Sequence, residues 1–178
     1  MVRHKVNVRR RASAPLAAML FVLLSPLLCG IQSQGEEIRK AAPDFQLADL
    51  AGITHRLADL HGKVVVLNFW ASWCPECLAE IDALSALTEK YRSKGVVVLS
   101  ISLDKNEQAL RAFLEAHPVK FPVMLDREGD MFVRKYAVRG LPATIIIDRQ
   151  GTIAARMLGA QEFISRDFTG RIDGLLEK

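Results

Sequence analysis

Two cysteines three positions apart, Cys74 and Cys77, are the side chains best suited to covalent chemistry in this sequence, with Pro75 and Glu76 between them. Before them lies an apolar, β-branched run at residues 64–69. After them apolar residues recur at helical spacing, at Leu78, Ile81, Leu84, Leu87 and Tyr91. The pair therefore falls where a buried strand hands over to a helix. A helix start leaves N–H groups unpaired and carries the positive end of the macrodipole, and both stabilise a thiolate. Pro75 suits the first helical position, where a missing N–H costs nothing. This predicts a redox dithiol. Two other uses of a cysteine pair compete with it. A closed zinc site needs four ligands, but there is no second such pair and no ligand spacing among His4, His55, His61 and His117. No metal is therefore expected. Two inert thiols of a buried helix would have no reason to meet the helix start.

The elements around the pair alternate. Phe45 and Leu47 alternate with polar neighbours, Gly52 marks a turn, and residues 53–57 read as the second strand of a hairpin. Residues 57–61 read as a helical turn stopped by Gly62. The main strand and the cysteine helix follow, with Gly95 as a C-cap. Residues 96–103 form another apolar strand, so strand, helix and strand make a parallel βαβ unit. Asp104 is positioned to cap a helix over residues 107–116, which stops before Pro118. A short strand at 121–125 and a helical piece at 131–136 come next. Strands at 143–148 and 152–158 form a hairpin through Arg149-Gln150-Gly151, and a helix at 164–176 closes the chain. The class is α/β. His55 and His61 read as ordinary surface residues.

The formal charge of +4 is set by the first eleven residues, which carry Arg3, Lys5, Arg9, Arg10, Arg11 and no acid. Without those five, 19 basic side chains face 20 acidic ones. The body is not a nucleic-acid binder by charge. The basic stretch precedes the apolar run at residues 16–28, the length of a signal-peptide core and short for a membrane span. Three readings stay open for residues 1–38: a leader cleaved after Ser33-Gln34-Gly35, a retained anchor, or a lipoprotein signal acylated at Cys29. All three export a body of residues 39–178, where disulfides persist. That body keeps only Cys74 and Cys77, and one close pair favours chemistry over stapling.

The body resembles the TlpA/ResA-type thioredoxin-like proteins of the redoxin superfamily. The likeness is carried by Ala42-Pro43-Asp44-Phe45, by Gly62 through Trp70, by Trp73-Cys74-Pro75-Glu76-Cys77, by Phe121-Pro122-Val123 and by Gly140-Leu141-Pro142-Ala143-Thr144. It implies a thioredoxin fold: a central mixed sheet flanked by helices, an N-terminal β-hairpin and an inserted β/α element near residues 102–127. It also implies a cis-proline at Pro142, which would bring the Leu141 backbone close to Cys74 for a substrate strand. Trp73 and Pro75 would complete that substrate face.

Glu80 matches an acidic residue of ResA-like members, and helix geometry supports it separately. At about 100° per residue from Cys77, Glu80 falls near 300°, between Leu87 near 280° and Tyr91 near 320°. A carboxylate in that apolar arc is desolvated and suited to proton transfer. The competing reading is a first-turn carboxylate that only complements the dipole. Asn68 departs from cytosolic thioredoxins, which have an aspartate there, and this leaves Glu80 as the acid/base.

The expected activity is exported protein thiol-disulfide exchange. Cys74 attacks, Cys77 resolves, and a Cys74–Cys77 disulfide remains. No cofactor is expected. The expected partners are protein thiols, as in cytochrome c maturation, and a membrane-embedded electron donor. Membrane contact is expected only through the N-terminal segment. Glu76 and Glu80 disfavour the thiolate, and no Lys, Arg or His between Trp70 and Leu87 compensates, so the direction expected is reduction. Two alternatives remain. A thiol peroxidase is opposed by the Trp-Cys-x-x-Cys context and by the lack of Thr/Ser-x-x-Cys. A copper metallochaperone is opposed by the two-residue spacing.

Overall fold

A computed structural model describes residues 40–178. The expected targeting segment, with Cys29 and the cleavage site before Glu36, lies outside the described residues. The chain runs β1 (Gln46–Ala48), β2 (Thr54–Arg56), a 3-10 turn (Leu57–Leu60), β3 (Val64–Trp70), α1 (Pro75–Tyr91), β4 (Val96–Ser102) and α2 (Glu107–Ala116). It continues through β5 (Val123–Leu125), a π-helical turn (Asp130–Lys135), β6 (Ala143–Ile147), β7 (Ile153–Leu158) and α3 (Arg166–Leu176).

Five strands make one sheet in the order β5-β4-β3-β6-β7. β4 runs parallel to β3 and to β5, while β6 is antiparallel to β3 and β7. β3 is central because all seven of its residues are buried, which suits a near-continuous run of β-branched and apolar residues. Its pleat sends Val64, Val66 and Trp70 into one core layer and Val65, Leu67 and Phe69 into the other. The first layer takes Ile81, Leu84 and Leu87 from α1, Leu110 from α2 and Phe168, Ile172 and Leu175 from α3. Burying each such side chain contributes about 1.5–3 kcal/mol. The second layer is closed by Phe45 and Leu57 of the hairpin region and by Met131, Tyr136 and Val138.

β1 and β2 form the expected hairpin, a separate two-stranded sheet. It docks on the edge strand β5 through a bridge from Asp49 to Met124 and a bond from the Leu50 N–H to the Val123 carbonyl. The expected β/α insertion corresponds to α2 and β5. β6 and β7 form the expected hairpin, with Gly151 at φ 79 in its turn, a conformation glycine adopts without steric cost.

Several details differ from the sequence expectations. α2 is capped by Asn106, whose side chain accepts the Ala109 N–H, and not by Asp104. Asp104 has stronger donors elsewhere. α3 starts at Arg166 because Ser165 accepts the Phe168 N–H, and this leaves Ile164 exposed ahead of the helix. β5 begins only at Val123, preceded by Pro122, which has no N–H to give to a ladder. His55 is half-buried, and its Nε2 lies 2.8 Å from Asp49 Oδ2. Burial opposes the ionisation of Asp49, but the His55 bond and the Ile53 and Ala51 N–H groups outweigh it and hold the carboxyl below its usual range.

Candidate active site

The turn from β3 into α1 places the two cysteines. Cys74 is the N-cap residue of α1 and Pro75 takes the first helical turn. The Cys77 and Leu78 N–H groups both donate to the Cys74 carbonyl, and the Cys77 N–H also points at Cys74 Sγ, 3.3 Å away. Sulfur thus occupies the capping position that an oxygen normally fills, facing the unpaired donors of the first turn. The two sulfurs are joined in a disulfide of 2.09 Å, with the Cα atoms 5.3 Å apart. Cys74 keeps 5% of its surface exposed and Cys77 keeps none.

Cys74 opens on a groove of about 600 Å³ whose walls include Trp73, Pro75, Leu103, Arg139 and Leu141. Trp73 stands 65% exposed. Three of the four residues expected to face a substrate, Trp73, Pro75 and Leu141, therefore share one groove with Cys74. The fourth, Pro142, is buried behind it. The Leu141–Pro142 peptide bond is cis. The Pro142 carbonyl accepts the Gly159 N–H, and a side chain at Gly140 would press on Leu158 at 3.2 Å, so the 140–142 segment packs close against the end of β7. Lys105, Arg127, Glu76 and Glu128 also line the groove. The cations come from the segments after β4, after β5 and before β6, which the residues near the cysteines could not reveal.

Glu80 lies one helical turn beyond Cys77 and is 3% exposed, as the helical phase predicts. Its Oε1 accepts the Asn68 Nδ2–H at 3.0 Å and its Oε2 accepts the Gln161 N–H at 2.8 Å. Asn68 Nδ2 is also 3.2 Å from Thr144 Oγ1. Burial pushes the Glu80 carboxyl above its usual range, and the Gln161 and Asn68 bonds offset only part of that rise. Asn68 is therefore more than a residue that cannot titrate; it holds the residue that does.

Asn68 pairs in register with Ser100 of β4 on one side and Thr144 of β6 on the other. All three are buried polar residues on the sheet face that α1 covers. The signal that could have found this row is a polar residue interrupting each of three apolar strand runs. Gln161 gave no such signal, because it acts through its main chain. Among the described residues, no cluster of three His, Cys, Asp or Glu side chains could hold a metal.

Comparison with known proteins places this geometry. The AhpC/TSA family profile matches residues 38–156. The thiol-disulfide oxidoreductase ResA of Bacillus cereus is 38% identical over 125 residues, covering 70% of this chain and 72% of its own. ResA of Oceanobacillus iheyensis is 34% identical over 154 residues, covering 81% and 80%. Among solved structures, a Chlorobium tepidum protein assigned as the thiol:disulfide interchange protein DsbE superposes with a TM-score of 0.71 at 33% identity, covering 78% of this chain and 96% of its own. The exposed lipoprotein thioredoxin of Streptococcus pneumoniae gives 0.64 at 30% identity, covering 76% and 99%. The chain belongs to the AhpC/TSA family and, within it, to the ResA-type protein thiol-disulfide oxidoreductases of thioredoxin fold.

Proposed function

We propose that this oxidoreductase works outside the cytoplasm as a reductant of specific protein disulfides, with Cys74 as nucleophile, Cys77 as resolving thiol and Glu80 as proton acceptor. The observation that carries the roles is the asymmetry of the pair: Cys74 Sγ caps the helix and opens on the groove, whereas Cys77 is closed off. In the reduced enzyme the Cys74 thiolate attacks a substrate disulfide. A bond forms from Cys74 Sγ to one substrate sulfur, and the other leaves as a thiolate. Cys77 gives its proton to the Glu80 carboxylate and attacks Cys74 Sγ. The second substrate sulfur is then released, and two electrons have passed to the substrate. A donor embedded in the membrane returns two electrons to the Cys74–Cys77 disulfide. Trp73, Pro75 and Leu141 form the face on which the substrate strand lies, with Pro142 buried behind it.

The direction rests on local charge. Glu76 sits between the cysteines and Glu80 is buried one turn beyond them, where charge is weakly screened. Lys105, Arg127 and Arg139 oppose them from exposed positions, and two of the three are already engaged: Lys105 bonds the Arg127 carbonyl, and Arg127 pairs with Glu107. Export is supported by the basic stretch and apolar run of residues 1–38, and the S. pneumoniae neighbour is described as exposed. Reduction of an apocytochrome c disulfide is the substrate class that the resemblance to ResA-type proteins suggests. Equilibration with glutathione tests the direction. The expected potential lies below about −200 mV; a value near about −120 mV, the range of a strong oxidant, would overturn it. A Cys77→Ser variant of the full chain should trap exported proteins as mixed disulfides, and trapping of cytosolic proteins alone would overturn export.

A further inference from the structure

We infer that Asp104 is a positioning residue for thiol-disulfide exchange, its buried carboxylate clamping Ser72, and with it the turn that delivers Cys74, to the opposite wall of the substrate groove. Asp104 is 4% exposed. Its Oδ2 accepts the Ser72 N–H at 2.9 Å and the Ser102 hydroxyl at 2.6 Å, and its Oδ1 accepts the Ser72 hydroxyl at 2.6 Å. The Asp104 N–H in turn donates to Ser102 Oγ at 3.0 Å. All three donors to the carboxylate, one main-chain N–H and two hydroxyls, are neutral. A buried carboxylate held only by neutral donors is costly to desolvate, and nothing in α2 requires it, since Asn106 supplies the cap.

The location shows what the clamp does. The parallel ladder of β3 and β4 ends with Trp70 opposite Ser102. One more main-chain bond, from the Leu103 N–H to the Trp70 carbonyl at 2.9 Å, carries it past the strand ends. Beyond that point the chains separate, one towards Cys74 and the other along the groove wall through Leu103 and Lys105. Asp104 supplies a side-chain rung where main-chain pairing runs out. Ser72 lies inside the tight turn closed by the Cys74 N–H on the Ala71 carbonyl at 3.1 Å. Fixing Ser72 at both its N–H and its hydroxyl therefore fixes the turn that sets Cys74 at the helix cap and stands Trp73 over the groove. A protein disulfide has to fit between the two walls, and a small disulfide does not.

The inference rests on the proposed attack by Cys74 within this groove. Its test compares Asp104→Ala, Asp104→Asn and Ser72→Ala with the parent enzyme. Rates are measured on insulin as a protein disulfide and on 2-hydroxyethyl disulfide as a small one, alongside hydrogen exchange of the Ser72 amide by NMR. Asp104→Ala should expose the Ser72 amide to exchange and lower the insulin rate about tenfold, the rate equivalent of one lost hydrogen bond. The rate with the small disulfide should stay within about twofold. Asp104→Asn should restore the parent values, because the amide oxygen accepts the Ser72 N–H while its NH₂ donates to a serine hydroxyl. Ser72→Ala should lower the insulin-to-small-disulfide ratio by a few fold, and it decides the matter if Asp104→Ala does not fold. An unchanged ratio in Ser72→Ala or Asp104→Ala, or an Asn variant as slow as Ala, would overturn the positioning role. A parent enzyme inactive on both disulfides would count against the groove mechanism itself. Ser72 exchange in Asp104→Ala would still decide whether the clamp exists, and protection equal to the parent's would overturn it.

Discussion

The two faces of the central sheet are built from the same strand and do different work. Val65, Leu67 and Phe69 of β3 enter a layer closed ring on ring: Phe69 meets Phe132 and Tyr136 at 5.8 Å each, and Phe45 meets Tyr136 at 6.4 Å. Within that layer the Tyr136 hydroxyl donates to the Pro43 carbonyl. One residue along, Asn68 faces the opposite way, into the layer under α1 that also holds Glu80 and both cysteines. That layer carries the polar row Ser100, Asn68 and Thr144, and Ser100 Oγ has no partner among the described residues. An unpaired buried hydroxyl costs about 1–3 kcal/mol. The apolar face supplies stability against which the α1 face can keep a titratable carboxyl and a reactive dithiol.

The largest effects should separate the faces cleanly. Cys74→Ser should abolish exchange with any disulfide while the fold stays intact. Leu67→Ala, on the apolar face, should do the reverse. It should cost about 2–5 kcal/mol of stability, a sizeable part of what holds a small domain folded. The exchange rate per folded molecule should stay at the parent value. Denaturant unfolding and exchange kinetics on the same samples check both. A Leu67→Ala enzyme that unfolds early and also exchanges slowly while folded would break the division between faces.

Glu80→Gln separates the two faces through pH. The folded carboxyl titrates above its unfolded value, because burial raises it more than Gln161 and Asn68 lower it. The folded protein therefore binds that proton more tightly than the unfolded chain. Its contribution to stability is complete below the unfolded carboxylate range and is lost as pH rises through the folded value. The Gln variant lacks this titration, so its stability relative to the parent should improve across that window, on top of a pH-independent loss of one acceptor. The same window should vanish from the pH profile of exchange. Superimposable profiles for variant and parent would reduce Glu80 to a carboxylate that merely complements the helix dipole.

How far these roles were legible follows from the range of each signal. The dithiol, the buried phase of Glu80 and the strand–helix order are local patterns of period and spacing, and the sequence displays them directly. The network that holds Glu80 is not local. Thr144 lies 76 positions from Asn68, and the Gln161 main chain lies 81 from Glu80. Only the register of β3 with β6 and the turn after β7 bring them together. Asp104 misled for a related reason. An aspartate three residues before a helix reads as a cap, but Asn106 sits one residue ahead of that helix, and Ser72, 32 positions away, offers Asp104 two donors at once. The cations of the groove were invisible near the cysteines because they arrive on three separate segments.

The smallest effect lies at the other end of α1. Tyr91 is the last residue of that helix; its ring is buried, and its hydroxyl donates to Asp173 Oδ1 at 2.7 Å and points to the Thr169 carbonyl at 3.3 Å, tying α1 to α3. Burial and the neighbouring Asp173 carboxylate push its ionisation up to about 12. Tyr91→Phe keeps the ring and removes the tie. Asp173 is exposed and can turn to water, so the cost should sit within the ordinary range for one hydrogen bond, about 0.5–1.5 kcal/mol. The parent's advantage should be constant through neutral pH. It should shrink above about pH 10, where the unfolded tyrosine ionises while the folded one still holds its proton. Exchange should not change, because fourteen residues of helix put Tyr91 about 21 Å from Cys77. Urea unfolding at neutral and alkaline pH, with exchange rates on the same protein, checks each part. If Tyr91→Phe moved the pH profile of exchange, the α1 face would be coupled along its whole length, and its chemistry would not be confined to the first turns.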